Sequence, residues 1–413
     1  MANTIKTLSS GDITRKALAI LHNNLVFTKM INKQYDDRFA RSGAKNGGTL
    51  LIREPNQFTV RSGAIMDTQD VTETTQTLTL ATQRGVDINF SSAELTLSLD
   101  DFADRILNPA MSRLAAEVDK TVIAACYPDV ANHVHTSATD YSTAPTLAVL
   151  LAARAKLSQN LAPASDRMAM VDALAANSII TAGYNIFNPA AEISKQYDTG
   201  LLGQVYGFKF YESEMTPVHT VGVITTGETT NTGSITNGTA TIVLSAVTAN
   251  DTKSAGDIFT IAGVYDVNPE TKVTMGNLKQ WSITAAQVAT AASTWTVAVS
   301  PTPYKSGAKQ NCVVSTSSTT ATVVFLTSGG VGTSNTAFRQ NLVFHKDAFT
   351  FVSADLELPK GVDFAAREVF DGISLRVVRN FDIVNDRFPC RIDVLFGQKT
   401  IYPGWACRIS SAA

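Results

Sequence analysis

The stretch 98–127, SLDDFADRILNPAMSRLAAEVDKTVIAACY, constrains this chain more than any other. Ser98 followed three places later by Asp101 is the pattern by which a side-chain oxygen and an acid satisfy the free amides of a first helical turn. Leu99, Phe102 and Ile106 repeat at helical spacing, and beyond a break Ala110, Leu114, Val118 and Val122 recur every fourth residue on one stripe. The break is Asn108-Pro109. A proline inside a helix removes one hydrogen bond and clashes with the preceding turn, so the spacing predicts either a kink or a second start with Asn108 as cap and Pro109 as first residue. The other face carries Arg105, Arg113, Glu117, Asp119 and Lys120. One face of a long helix is therefore expected to be buried and the other to meet water or a partner.

A chain of 413 residues has room for two or three domains, each with its own core. Charged residues make up only 17% and the net charge is -2, so no general electrostatic case for nucleic acid or membrane arises. Cys126, Cys312, Cys390 and Cys407 lie far apart and form no CxxC pair. That argues against zinc and against a secreted disulfide framework, and for reduced thiols in a cytoplasmic product. The start MANTIKTLSS lacks the apolar core of a signal peptide, and no run approaches the ~18 apolar residues of a membrane span.

Along the chain, Ile13, Ala17, Ile20, Leu21, Leu25 and Val26 fall at helical intervals behind Asp12, which predicts a short amphipathic helix. TLLIREPNQFTVRSG reads as two strands broken at 54–57, either a hairpin or a long extended loop with little of its own to fold against. TQTLTLATQRGVDINF alternates at period two and predicts two strands with a turn near Arg84-Gly85. TLAVLLAARAKLSQN follows as a second helix. RMAMVDALAANSII reads as a strand running into a helix capped by Asp172, the α+β heart of the chain. From about 221 to 339 Thr, Ser, Gly, Ala and Val dominate, and five or six short strands with an Asn237-Gly238 turn signal predict a separate small β-barrel or sandwich. Three alternating strands close the chain, with Leu375, Val377, Ile392 and Val394 inward and arginines and aspartates outward.

A search for chemistry returns little. There is no GxSxG elbow, HExxH or P-loop, and no cysteine sits with a histidine and an acid in a local motif. Gly200, Gly203 and Gly207 precede a strand, which points to turns and not to a phosphate cradle. His133 and His135 lack further ligands at metal spacing, and His345 reads as structural. Arg376, Arg379, Arg387 and Arg391 alternate with acids, as on a solvated or subunit-facing sheet. No catalytic residue, metal or cofactor is expected.

The order of four stretches resembles a tailed-phage major capsid protein of the Hong Kong 97 type. They are INFSSAELTLSLDDFADRILNPAMSRLAAEVDK, GLLGQVYGFKFYESEMTPV, NLVFHKDAFTF and VLFGQKTIYPGWACRI. The resemblance implies an α+β capsid fold with an N-terminal arm (1–40), an extended loop (41–75) and a peripheral domain with the spine helix (76–140). It further implies an axial domain (141–220 and part of 340–413), the last strands returning to the periphery. The insert at 221–339 resembles, by position and β character, the extra barrel domain of coat proteins of the Salmonella temperate podovirus type. The arm is too short for a fused scaffold domain, so a separate scaffolding protein is implied, along with a portal protein and packaged double-stranded DNA held without sequence specificity.

The function so implied is self-assembly into hexamers and pentamers of an icosahedral shell, in the host bacterial cytoplasm, without a membrane or catalysis. Such a chain needs arms that reach neighbours, apolar faces to bury between copies, and little net charge. Arg53, Glu54 and Arg61 on the loop are the candidates for intersubunit ion pairs. The alternative is a β-rich phage or bacterial adhesion protein, which the Thr-rich insert would suit; a hydrolase would need a triad assembled only in space.

Overall fold

A computed structural model describes residues 10–33, 49–66, 68–70, 73–91, 107–136, 143–183, 204–224, 227–289, 293–315, 317–326 and 337–412. The chain divides into two compact units. The first takes in 1–54, 75–122 and 349–399, and the second 55–74, 123–348 and 400–413.

The first unit is built on a five-stranded sheet. Its longest strand, Arg387–Thr400, pairs antiparallel with Ile373–Arg379 and, along residues 387–396, with Thr82–Ser91. Phe349–Ala354 and Phe364–Phe370 complete it. Ile373, Leu375, Val377, Ile392 and Val394 are buried, as their alternation predicts. On the other face Asp393 accepts from Arg376 Nη2 at 2.7 Å and Arg391 Nε at 2.7 Å, and Arg379 pairs with Asp363. The three guanidiniums share these two carboxylates.

The turn expected at Arg84-Gly85 is not there. Thr82–Ser91 is one continuous strand, and Gly85 lies opposite Asp393. A Cβ on Gly85 would stand 2.6 Å from the Ile392 carbonyl oxygen and 2.5 Å from Asp393 Oδ1. The glycine serves close approach of two strands, a role that resembles turn chemistry in sequence. The second strand expected within FTVRSG is also absent. Thr49–Arg53 pairs instead with Thr75–Thr79, leaving an extended loop between.

The long helix is described from Asn108 to Cys126; residues 98–106, with the proposed Ser98 cap, lie outside the described residues. Met111, Leu114, Ala115, Val118 and Val122 form its buried stripe. Asp119 departs from the expected wet face: it is 1% exposed. Its carboxylate accepts from the amides of Val26 (2.7 Å), Phe27 (3.2 Å) and Thr28 (2.9 Å) and from Thr28 Oγ1 (2.6 Å). These are the free amides at the start of the short helix Phe27–Met30, which no local side chain caps. The preceding helix, Ser10–Asn24, buries Ala17, Leu18 and Leu21 and packs on the strand Phe364–Phe370.

The second unit holds a mixed sheet in the order His133–Val134, Ala406–Ala412, Ala337–His345, Arg167–Val171, Phe208–Glu212, Gln204–Val205. Arg167–Val171 is buried at every residue. It runs parallel to Phe208–Glu212, and Asp172 Oδ2 accepts from Ala175 N at the start of the helix Ala173–Gly183. With the helix Leu147–Gln159, these elements bury Leu150, Ala153, Leu157, Ile179, Phe208 and Val343 in one core. Gly207 takes a φ of +84° in the turn between Gln204–Val205 and Phe208–Glu212, while Gly200 and Gly203 lie outside the described residues.

The insert in this unit is a closed six-stranded barrel. Around it run Thr274–Ile283, Ser293–Ser300, Thr241–Val247, Thr229–Thr230, Ala321–Phe325 and Ile258–Val267, the last pairing back onto Thr274–Ile283. The lumen is filled by Leu244, Phe259, Ile261, Trp281 and Val297, as a small barrel requires. Ile258–Val267 changes partner along its length, from Ala321–Phe325 to Cys312–Val314. Gly263, at φ +78°, sits at that change.

Candidate functional site

The strongest concentration of buried polar chemistry lies within the second unit, where the barrel seats on the sheet. Arg408, on Ala406–Ala412, is fully buried and donates from Nη1 to the Gly256 carbonyl (2.8 Å) and from Nη2 to Ser282 Oγ (3.2 Å). Ser282 Oγ donates to the Pro128 carbonyl and Ser300 Oγ to that of Asp129. Gln280 clamps the His133 backbone, accepting from its amide at 3.0 Å and donating to its carbonyl at 3.1 Å. His219 Nε2 meets Asp257 Oδ1 at 2.9 Å and its Nδ1 meets the Tyr127 hydroxyl at 3.3 Å. Asp257 also accepts from the amides of Gly222 and Ser254. Gly256 is required here, since a Cβ would stand 2.9 Å from the Tyr127 ring.

The electrostatics follow from burial. Arg408 is pulled down to about 10 by loss of solvent, which leaves it charged at neutral pH. Burial, with the Arg408 charge added, pushes the His133 imidazole well below its ordinary value. The Tyr127 phenol is pushed up by burial, against the pull of Arg408. The cavity lined by His133, His219 and Arg408 measures about 10 Å³, room for about one water molecule. Among the described residues, no group of His, Cys, Asp and Glu could hold a metal ion. His345 packs edge-on against Trp405, and its Nδ1 accepts from the Asp347 amide.

The loop residues singled out from sequence have separate local settings. Arg53 is exposed at the end of Thr49–Arg53. Glu54 is half-buried and accepts from Gln76 Nε2 at 2.6 Å. Arg61 is exposed and donates to the carbonyls of Gly63 and Ile65 within its own loop. Gln69 holds that loop shut, accepting from the Thr59 amide at 2.8 Å and donating to the Thr59 carbonyl at 2.6 Å. Its apolar side chains find no cover: Phe58, Val60, Ile65 and Met66 are 58%, 98%, 88% and 78% exposed.

A second bare patch escaped the sequence reading. At the turn 380–386 of the first unit, Ile383 and Val384 are 83% and 85% exposed, while Asp382 builds the turn by accepting from the Val384 amide and from Asn385. The signal was present in FDIVND, where two β-branched apolar residues sit between turn-forming Asp and Asn.

Residues 214–407 match the family model "P22 coat protein - gene protein 5", a span that takes in the barrel, the strands of the first-unit sheet from Phe349 onward and the start of Ala406–Ala412. No curated protein matches the chain. Among solved structures the fold is similar to that of Mycobacterium phage Che8, at 13% identity and a TM-score of 0.47, covering 93% of this chain and 90% of the other. It is also similar to the capsid of the Cyanophage P-SCSP1u (11%, TM-score 0.42, 89% and 84%) and to that of Ralstonia phage GP4 (7%, 0.43, 89% and 83%). No helix among the described residues is long and apolar enough to cross a membrane.

Proposed function

We propose that the chain is a tailed-phage major capsid protein, as the match of residues 214–407 to the P22 coat protein model supports, and that its extended loop is the arm by which one copy grips the next. The observation that carries this reading is the loop's own composition and exposure. Phe58, Val60, Ile65 and Met66 stand bare on a segment whose backbone is held by Gln69 and Arg61 and not by a core. Burying a side chain of this kind contributes roughly 1.5–3 kcal/mol, so a few of them at each of many repeated contacts suffice to hold a shell. Arg53, Glu54 and Arg61 would then set register and charge complementarity at the rim of that contact.

The same proposal assigns 1–40 to an arm, 41–75 to the extended loop, 76–140 to a peripheral domain and 141–220 to an axial domain. The barrel occupies 221–339, and 340–413 supplies the axial return and peripheral strands. It includes pentamers and hexamers, a separate scaffolding protein, a portal, DNA held without sequence specificity, assembly in the host cytoplasm and no catalysis.

Negative-stain electron microscopy and sedimentation of the purified protein, alone and with candidate scaffolding protein, test the reading. Closed shells from the parent chain, and their loss in Val60→Asp or Ile65→Asp with the subunit still folded, are the expected results. Shells that form unchanged in both variants would remove the loop from the contact. A stable trimer that never closes would favour an adhesion protein.

A further inference from the structure

Gln340 lies on the central strand Ala337–His345 and is completely buried. Its backbone amide is spent on the Pro217 carbonyl. Its side-chain Oε1 and Nε2 both lack a protein partner, and so does Nε of Arg408, whose two terminal nitrogens hold Gly256 and Ser282. Gln340 and Arg408 line the same small cavity, together with His133, His219, Gly256 and the apolar Ile258, Leu326 and Phe338. A buried amide and a buried guanidinium N–H left unmatched are each costly, and native interiors rarely leave either so.

The size and the chemistry of the cavity select that guest. A volume of about 10 Å³ matches one water molecule. Two donors, Arg408 Nε and Gln340 Nε2, and one acceptor, Gln340 Oε1, suit a molecule that both accepts and donates. A cation would face the Arg408 charge, and a halide would leave the Gln340 oxygen unmatched. We propose that a single bound water, held by Arg408 and Gln340, is a permanent component of the barrel's seat, completing the hydrogen-bonding shell of the arginine that joins sheet to barrel.

The test is a structure of the full-length protein, as subunit or shell, at a resolution where other buried waters are seen, from crystals grown with and without bromide. The expected result is one isolated peak within hydrogen-bond distance of both Arg408 Nε and the Gln340 amide, with no anomalous signal from bromide. In Gln340→Met, of similar length but without polar atoms, the peak is expected to be lost while the Arg408 contacts to Gly256 and Ser282 remain. A dry cavity in the parent protein overturns the proposal, as does a bromide peak at the site.

Discussion

Replacing Asp119 by alanine tests whether the long helix and the N-terminal segment are joined by one carboxylate. The side chain receives four hydrogen bonds, from the amides of Val26, Phe27 and Thr28 and from Thr28 Oγ1. In Asp119→Ala the two donors of Thr28 lose their acceptor in a fully buried place, where each unmatched group costs about 1–3 kcal/mol; the buried Phe27 amide loses a longer bond of 3.2 Å, and the Val26 amide, nearer to solvent, adds less. Burial of the carboxylate itself opposes these bonds, strongly enough to raise its pKa above the ordinary value, so truncation also removes an unfavourable contribution. The expected net loss is therefore about 2–4 kcal/mol, with Asp119→Asn between it and the parent because one oxygen survives as acceptor. Urea unfolding of the purified subunit gives the stability, and hydrogen exchange at Val26 and Thr28 localises the loss. In Asp119→Ala, a loss under about 1 kcal/mol or unchanged exchange at Thr28 would refute the reasoning.

Other expectations come from separate parts of the molecule. In the barrel, Lys253 Nζ lies 2.6 Å from Glu228 Oε1 with both side chains fully buried. Either Lys253→Met or Glu228→Leu alone should cost about 3–5 kcal/mol, while the double variant recovers most of it; thermal unfolding of the full chain reads this, and additive losses would contradict it. Burial pushes the Cys407 thiol up to about 12 and the Cys390 thiol up to about 11. Neither should react with a thiolate-seeking reagent near neutral pH until the chain unfolds. For Asp371, burial acts upward, but hydrogen bonds from Lys33 and His22 outweigh it and hold the carboxyl below its ordinary value. A depressed folded pKa contributes stability above the unfolded pKa and loses it as pH falls through the folded one. Asp371→Asn should therefore flatten the acid limb of a stability-against-pH profile.

Sequence periodicity by itself determined the parts of this protein in which a side chain answers only to its nearest neighbours along the chain. The stripe Leu114, Val118, Val122, the alternation through Leu375 and Val377, and the short Thr- and Val-rich strands of the insert each face their own core for local geometric reasons. Tertiary structure alone decided where those rules meet a partner far away in sequence. Asp119 sits on the polar side of its helix by period, yet it is buried because distant amides at 26–28 need an acceptor. Gly85 has the signature of a turn but is a close approach to Ile392 and Asp393, which only strand pairing could reveal. Arg408, on a strand buried at every residue but its last, became the cation of the barrel's seat because Gly256 and Ser282 arrive from the barrel. The bare side chains of the loop were legible as apolar residues, whereas their lack of cover was not. Cover is a property of everything else in the fold, and hydrogen-bond pairing over long separations leaves no period in the sequence to read.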